Sequence, residues 1–213
     1  MIARRAVRLS CVLAVALATL LATGLPASAT TKTPKGTTSL ATVLSKDGSG
    51  FDRNPYDYDI LDNAVTAVLT AKPNSAVAVL ADGTVPLTAF LPNDKAFLRL
   101  AQDVLGGSYT SERDVFTKLA GALGVATIES VLLYHVVPGA TITYRQALKA
   151  NRASLPTALE GSSIRVKVKH RVLVQLVDAD RNDRNPFVVQ PNVNKGNRQI
   201  AHGIDRVLRP VNL

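Results

Sequence analysis

The fold is decided by the stretch Thr88-Ala-Phe-Leu-Pro-Asn-Asp-Lys-Ala-Phe97, which changes from a strand pattern to a helix pattern within a few residues. Thr88 suits an extended segment, and Pro92 prevents a helix from running back through it. Asn93 and Asp94 carry short side-chain oxygens that can accept hydrogen bonds from the free amides of a first helical turn. The stretch therefore predicts a strand that stops near Pro92 and a helix that begins directly after it.

Helical patterns dominate the first two thirds of the chain, and strand patterns dominate the last third. Helices are predicted over 60–69, from 94 to 105, after Ser111, after Thr127 and briefly after Thr143, and strands over 76–80, 164–168, 172–177, 187–190 and 200–208. Helices that precede most of the strands, without regular alternation, indicate an α+β domain with a largely antiparallel sheet.

Residues 1–29 have the pattern of a secretory signal: a basic start, an apolar run and small residues at 27–29 for cleavage. The apolar run is interrupted by Gly24 and Pro26 and is short for a bilayer span. We therefore interpret this segment as a removed signal and expect no stable transmembrane anchor.

The rest of the chain divides into a predicted flexible leader, residues 30–50, and a single domain, residues 51–213. The leader is rich in Thr and Lys and contains Pro34 and Gly36. Cys11 is the only cysteine and lies in the signal. The exported chain would therefore have no thiol for a disulfide or a metal site.

The formal charge is +9, and removal of Arg4, Arg5 and Arg8 with the signal would lower it to +6. The chain has no Trp and few aromatic residues, so a nucleic-acid partner is not expected. Weak attraction to anionic cell-wall polymers, acidic glycans or lipid headgroups is the natural consequence of this charge. A merely soluble basic surface is the simpler interpretation.

The densest basic stripe is formed by Arg165, Lys167, Lys169 and Arg171, and it alternates with branched apolar residues. This alternation is typical of a strand with one buried and one wet face. The stripe is either solvated surface or a contact for an acidic partner.

The opening stretch resembles the first signature motif of the fasciclin (FAS1) domain family, roughly Thr-x-Phe-x-Pro-Asn-x-x-Ala-Phe. The matching positions are Thr88, Phe90, Pro92, Asn93, Ala96 and Phe97. Two later stretches resemble further segments of the same family in the same order. The resemblance covers about residues 57–213 and implies a fasciclin-like β-wedge of mostly antiparallel strands packed with several helices.

The segment Leu132-Leu-Tyr-His-Val-Val-Pro-Gly139 resembles the Tyr-His segment of fasciclin domains. In the family this segment is implicated in adhesion to cell-surface receptors, and the resemblance implies that role for Tyr134 and His135. From the residues alone, a Tyr and a His at the end of an apolar helix need polar partners inside the fold. A structural role for His135 is therefore the competing interpretation.

Gln190-Pro191-Asn192-Val193 stands where some animal fasciclin domains carry Glu-Pro-Asp-Ile, an acidic motif associated with integrin recognition. The amides here remove the carboxylate that a receptor-bound metal would bind. We keep Asn192 and Val193 as predicted partner contacts without expecting an integrin.

The segment from Ile200 to Pro210 resembles the closing motif of the family, although Asn197-Arg198 replaces the usual Asn-Gly before it. An aspartate among apolar residues should be paired or hydrogen-bonded, which predicts a structural role for Asp205. We expect the same of His202.

No catalytic, metal or cofactor site is predicted. Asp178, Asp180 and Asn182 fit the first positions of a calcium loop, but Asp183 replaces the required Gly and Val189 the bidentate Glu. A hairpin loop fits better. The sequence also lacks a phosphate loop, a nucleophile elbow and the zinc-protease motif, so we do not expect an enzyme.

The resemblance implies a non-enzymatic adhesion or interaction module that is secreted, extracellular or loosely associated with the cell envelope. Its partner would be a cell-surface or matrix protein, and we expect a monomer. The alternative is an envelope protein that binds a glycan, a lipid or another small ligand, for which a concave apolar pocket with convergent polar groups would be needed.

Overall fold

The strand β1 (Leu87–Pro92) ends where the sequence predicts, and the helix α3 (Asp94–Leu105) begins two residues later. Asn93 between them has an extended backbone, and its Oδ1 accepts a hydrogen bond from the amide of Ala96 at 3.0 Å. The helix ends at Gly106, whose φ of 71° is in the left-handed region that favours glycine. The predicted strand-to-helix junction is therefore confirmed.

The computed structural model describes residues 35–47 and 50–213, all within one compact unit. The other helices there are α1 (Leu40–Leu44), α2 (Asp59–Ala71), α4 (Glu112–Tyr134) and α5 (Tyr144–Ala147), with 3-10 turns at Ser45–Asp47 and Ala76–Ala81. The remaining strands are β2 (Val136–Pro138), β3 (Ser154–Pro156), β4 (Ser163–Lys169), β5 (Leu173–Val177), β6 (Val188–Val193) and β7 (Gln199–Ile204). The predicted signal, residues 1–29, lies outside the described residues.

The strands form two sheets. The first has the order β2-β1-β7-β6, and the second has the order β3-β4-β5. β1 and β7 pair in parallel, with Leu87 opposite Gln199 and Pro92 opposite Ile204, whereas the other neighbours are antiparallel. The predicted α+β fold with mostly antiparallel strands is confirmed.

The first sheet lies between two layers, so its central strands are buried on both faces. Every residue of β1 and β7 is buried. Leu87, Ala89 and Leu91 pack into the cluster formed with the helices. Phe90 points the other way, into the cluster formed with the second sheet. This alternation follows from the two-residue period of a strand and explains why both faces of β1 are apolar.

The long helix α4 consists of two segments joined at Gly124, whose φ and ψ of 72° and 161° are not helical. The break corresponds to the two helices predicted after Ser111 and Thr127. By length and composition α4 is the one helix among the described residues that could cross a membrane. One face of it, including Val115 and Leu119, packs into the domain core.

The strand predicted over 76–80 is wrong, because these residues form a 3-10 helix, Ala76–Ala81. The Ser75 hydroxyl accepts a hydrogen bond from the amide of Val77 and starts the turn. Val77 and Leu80, three residues apart, both reach the core. A short apolar run does not distinguish a strand from a buried helical turn.

The predicted flexible leader is also wrong for its described part, 35–47. Leu40 and Leu44 are buried in the domain core. The amide of Leu40 donates a hydrogen bond to Oε1 of Gln199 at 2.7 Å, which ties α1 to β7. A Cβ on Gly83 would overlap the carbonyl of Thr37, so this segment lies directly on the 82–84 turn. The mostly polar composition of this segment did not reveal that the short helix α1 buries apolar residues in the core.

Replacement of Leu40 by Ala tests whether this segment belongs to the domain. We expect the free energy of unfolding to fall by about 3 kcal/mol, as for other fully buried leucines. Urea denaturation of the purified domain measures it. Lys46→Ala on the same segment is the matched control, since Lys46 is exposed. Equal stability of the two variants would mean that the segment is a mobile leader after all.

Candidate functional site

The first signature motif caps the N-termini of two helices. Asp94 is fully buried and turns away from its own helix toward the N-terminus of α2. Its two carboxylate oxygens accept hydrogen bonds from the amides of Asp59 and Ile60 at 3.1 and 2.9 Å. Tyr58, at the cap position of α2, makes no side-chain cap bond. Asn93 therefore caps α3 as predicted, whereas Asp94 caps α2.

A buried group of carboxylates at the same place was not predicted from the sequence. One oxygen from each of Asp57, Asp94 and Glu112 lies within 4.8 Å of the others, and all three residues are buried. The only sequence signal was an acid at or near the start of each of α2, α3 and α4. Because these helices are separate along the chain, nothing local predicted that their starts converge.

This group titrates abnormally. Burial is the largest cause that raises the pKa of Asp94, and the neighbouring carboxyl of Asp57 adds to it. Burial also raises the pKa of Glu112 to about 7, although a hydrogen bond from the amide of Asp52 opposes the shift. At neutral pH without a counter-ion, the group therefore keeps at least one proton.

Thr88 and His202 hold the segment after β2 against the sheet. The Thr88 hydroxyl donates to the carbonyl of Ala140 at 2.7 Å and accepts from the amide of Ile142 at 2.8 Å. His202 is buried, its Nε2 donates to the carbonyl of Ile142 at 2.9 Å, and its Nδ1 accepts from the amide of Asn192 at 3.2 Å. Burial lowers the pKa of His202, so the ring is neutral.

Asn192 and Val193, the predicted partner contacts, are only half-exposed. Asn192 has a φ of 62°, and its Oδ1 accepts a hydrogen bond from the amide of Tyr144 at 2.9 Å. Val193 packs against the core. Val189, just before them on the edge strand β6, is 52% exposed. A partner role for Asn192 and Val193 stays a prediction.

Tyr134 and His135 are 1% and 4% exposed, so the expectation that they contact a partner directly is wrong for the folded domain. The Tyr134 hydroxyl donates to the carbonyl of Ser163 at 3.1 Å. Nδ1 of His135 donates to the carbonyl of Val131 at 2.7 Å, and Nε2 accepts from the amide of Leu208 at 2.9 Å. Tyr134 thus ties the end of α4 to β4, and His135 ties it to the segment after β7, which is the structural interpretation of these two residues.

Asp205 follows β7 and holds its neighbours as predicted for a paired aspartate. Its Oδ1 accepts from the amide of Phe187 at 2.7 Å, and Arg99 lies 3.5 Å from its Oδ2. Nearby, Arg209 contacts Asp103, Asp180 and Asp183 at 2.7, 3.3 and 3.2 Å. Acids of the rejected calcium loop are thus neutralised by arginine.

The second sheet presents a basic outer face, defined here by Arg152, Arg165, Lys167, Lys169 and Arg171. Ile164 and Val166 point into the core between these residues, as the alternation predicts. In the described part of the chain, no Asp or Glu forms an ion pair with the basic outer face. An open depression of about 590 Å³ lies there and is lined by Arg152, Arg165 and Lys167 among others.

Two enclosed cavities in the described part of the chain are small and apolar. One, of about 40 Å³, lies between α2, α3 and α4 and is lined by core residues such as Phe97 and Leu132. The other, of about 20 Å³, lies between the sheets and is lined by Phe90 and Val174 among others. Sites for drug-sized ligands are roughly 300–1,000 Å³, so neither cavity holds such a ligand in this conformation.

Comparison with known proteins agrees with the motifs. A model of the fasciclin domain matches residues 61–210. No curated protein matches the chain. Among solved structures, a FAS1 domain pair from the insect cell adhesion molecule fasciclin I is similar at 17% identity and a TM-score of 0.55, over 81% of this chain and 51% of that chain. The chain thus spans about half the length of that structure, and the likeness concerns the fold.

His135 should make stability depend on pH. Burial lowers the pKa of His135 from 6.5 to about 4, because the charged ring would be desolvated and would lose the bond that Nε2 accepts from Leu208. The unfolded chain therefore binds the proton first, and the stabilisation is complete above pH 6.5 and lost as the pH falls toward 4. The gap in unfolding free energy between wild type and His135→Gln should narrow by about 3 kcal/mol over this range.

Urea denaturation of both proteins at several pH values between 7 and 4 measures this gap. His170→Gln is the matched control, because His170 is exposed, and its curve should run parallel to that of the wild type. Parallel curves for His135→Gln would contradict a buried neutral histidine.

Proposed function

This chain belongs to the fasciclin domain family, and on that premise we propose that it is a non-enzymatic extracellular interaction module that binds an anionic polymer of the envelope or matrix through its basic outer face. Fasciclin domains are known as adhesion and interaction modules, typically outside the cell or at its surface. The secretory pattern of residues 1–29 supports export of this one. The single observation that carries the proposal is the basic outer face without ion pairs.

The charge pattern of the basic outer face favours a role as a binding surface. An ordinary solvated surface would carry positive and negative charges mixed together. Arg165 and Lys167 project from the central strand of the second sheet, with Val177 and Gln175 opposite them on β5. Arg152 adjoins the same open depression. A row of cations over a concave surface attracts an extended polyanion and aligns it along the strand.

The architecture of the domain favours binding of a partner at the surface and argues against a ligand site in the interior. The enclosed cavities are much smaller than a lipid or a cofactor, and core side chains line them. Histidine is the residue most often used for acid-base catalysis. In His135 and His202, however, both ring nitrogens are hydrogen-bonded to backbone groups. These observations favour an interaction module over a small-ligand carrier or an enzyme.

A protein contact at the 189–193 segment of the edge strand β6 is the second candidate. Val189 exposes 52% of its surface on an edge strand, and Gln190 and Pro191 after it are exposed too. Edge strands with apolar exposed residues are common partner contacts. In this candidate Asn192 and Val193 set the shape of the irregular end of β6, and the exposed residues before them touch a cell-surface or matrix protein.

Charge removal from the basic outer face tests the proposal. The double variant Arg165→Gln/Lys167→Gln should elute from immobilised heparin and from immobilised polygalacturonate at clearly lower salt than the wild type. The reason is that two cations leave the contact, and such attraction is screened by salt. Elution salt on both columns is the measurement.

The control Lys118→Gln/Arg184→Gln removes the same charge from exposed positions outside this face. It should elute close to the wild type. Equal shifts for the two double variants would mean that only net charge matters and that the basic outer face is ordinary surface. Binding to intact cells that is lost in Val189→Ser but kept in the basic double variant would instead favour the protein contact at the 189–193 segment.

A further inference from the structure

A carboxylate oxygen in the interior of this domain has no hydrogen-bond partner. Asp57 is only 8% exposed, and its Oδ1 makes no hydrogen bond to any residue in 35–47 or 50–213. The same carboxylate belongs to the buried group with Asp94 and Glu112, defined above. The carboxyls of Asp57 and Asp94 share a hydrogen bond, which places a proton on one of them. The buried oxygen that is left without a partner costs free energy, and a cation bound here would offset that cost.

The negative charge of this group is not balanced by basic side chains. Within residues 35–47 and 50–213, no Lys or Arg forms an ion pair with Asp57, Asp94 or Glu112. The two cations nearest in sequence are engaged elsewhere: Lys95 lies over the ring of Tyr56, and Arg113 lies over the ring of Phe51. The other acidic group of the domain, around Arg209, shows the contrast, because arginines neutralise it.

Helix dipoles supply only part of the missing positive charge. α2, α3 and α4 all begin at this group, with Asp59, Asp94 and Glu112 as their first residues. Each N-terminus is equivalent to about half a positive charge, so three of them offer roughly +1.5 against three carboxylates. If all three carboxylates are ionised, about one and a half negative charges remain. One divalent cation would offset most of this remaining charge.

The distances and the ligand type suit calcium. Two oxygens on one Ca²⁺ at 2.3–2.6 Å can lie at most about 5 Å apart, and the three carboxylates meet that limit with a mutual spacing within 4.8 Å. Mg²⁺ dehydrates reluctantly and is usually bound through one or two carboxylates with several waters, so a group of three protein carboxylates suits calcium better. The group contains no His or Cys, so a soft metal is disfavoured. Asp52 also lies in a carboxylate group with Asp57 and can add a further oxygen ligand.

We propose that Asp57, Asp94 and Glu112 form a calcium site that joins the loop before α2 to the first turns of α3 and α4. The bond from the amide of Asp52 to Glu112 and the bonds from the α2 amides to Asp94 already hold two of the ligands in place. Calcium would replace the proton that these carboxyls otherwise share. The stability of the domain then depends on the calcium concentration outside the cell.

Calorimetric titration of CaCl2 into chelator-treated protein at pH 7 tests the site, with MgCl2 as the comparison ion. We expect one calcium to bind in the micromolar to millimolar range, more weakly bound magnesium, and a rise in the unfolding temperature that EGTA reverses. Glu112→Gln keeps an oxygen for the Asp52 amide, so its fold should persist while calcium affinity falls at least tenfold. Asp57→Asn should lose calcium binding and, without metal, should unfold at a temperature no lower than the wild type, since it removes a buried charge.

Two matched controls remove the same charges elsewhere. Asp103→Asn lies in the arginine-paired group, and Glu160→Gln is exposed on a loop. Both should bind calcium as the wild type does. The proposal is overturned if the wild type shows neither heat nor a stability change with calcium up to 10 mM, or if Glu112→Gln binds calcium as tightly as the wild type. In either case the group is held together by shared protons alone.

Discussion

The carboxylate of Asp94 is the contact on which the rest of this domain depends. This residue belongs to α3, but its carboxylate accepts hydrogen bonds from the first two amides of α2. The two helices therefore cannot move apart without leaving buried N–H donors unsatisfied. Because α3 follows β1 after a single residue, the same contact also fixes the helix layer against the sheet. A substitution here would remove a cap, a packing contact and a buried hydrogen-bond acceptor at once.

The central strands explain the positions of the two buried histidines. β1 and β7 have apolar layers on both sides, so each polar group that enters this region must be satisfied within it. His135 and His202 do so with both ring nitrogens and thereby join segments that are far apart in sequence. Both histidines are buried and have structural roles. Contacts with a partner must therefore come from exposed surface residues and not from the Tyr-His segment.

Charge is distributed unevenly over the domain. Arginines neutralise one acidic group, and helix N-termini partly balance another. Among the residues that the structure describes, the basic outer face of the second sheet forms no ion pair with an acid. Such separation costs little on the exposed sheet, where water solvates the cations, but it is expensive in the interior, where Asp57 and its neighbours lie. The interior group and the exposed face are therefore the two places where an external ion or polymer would gain most.

The sequence by itself determined the family, the strand-to-helix junction, the cap at Asn93 and the alternation of β4, because these depend on local patterns and short motifs. Only the tertiary structure decided the rest. It buried Tyr134 and His135, turned Asp94 toward another helix, drew residues 35–47 into the core and brought Asp57 and Glu112 together. Each of these outcomes joins segments that are distant along the chain, and no local pattern encodes which surfaces will meet.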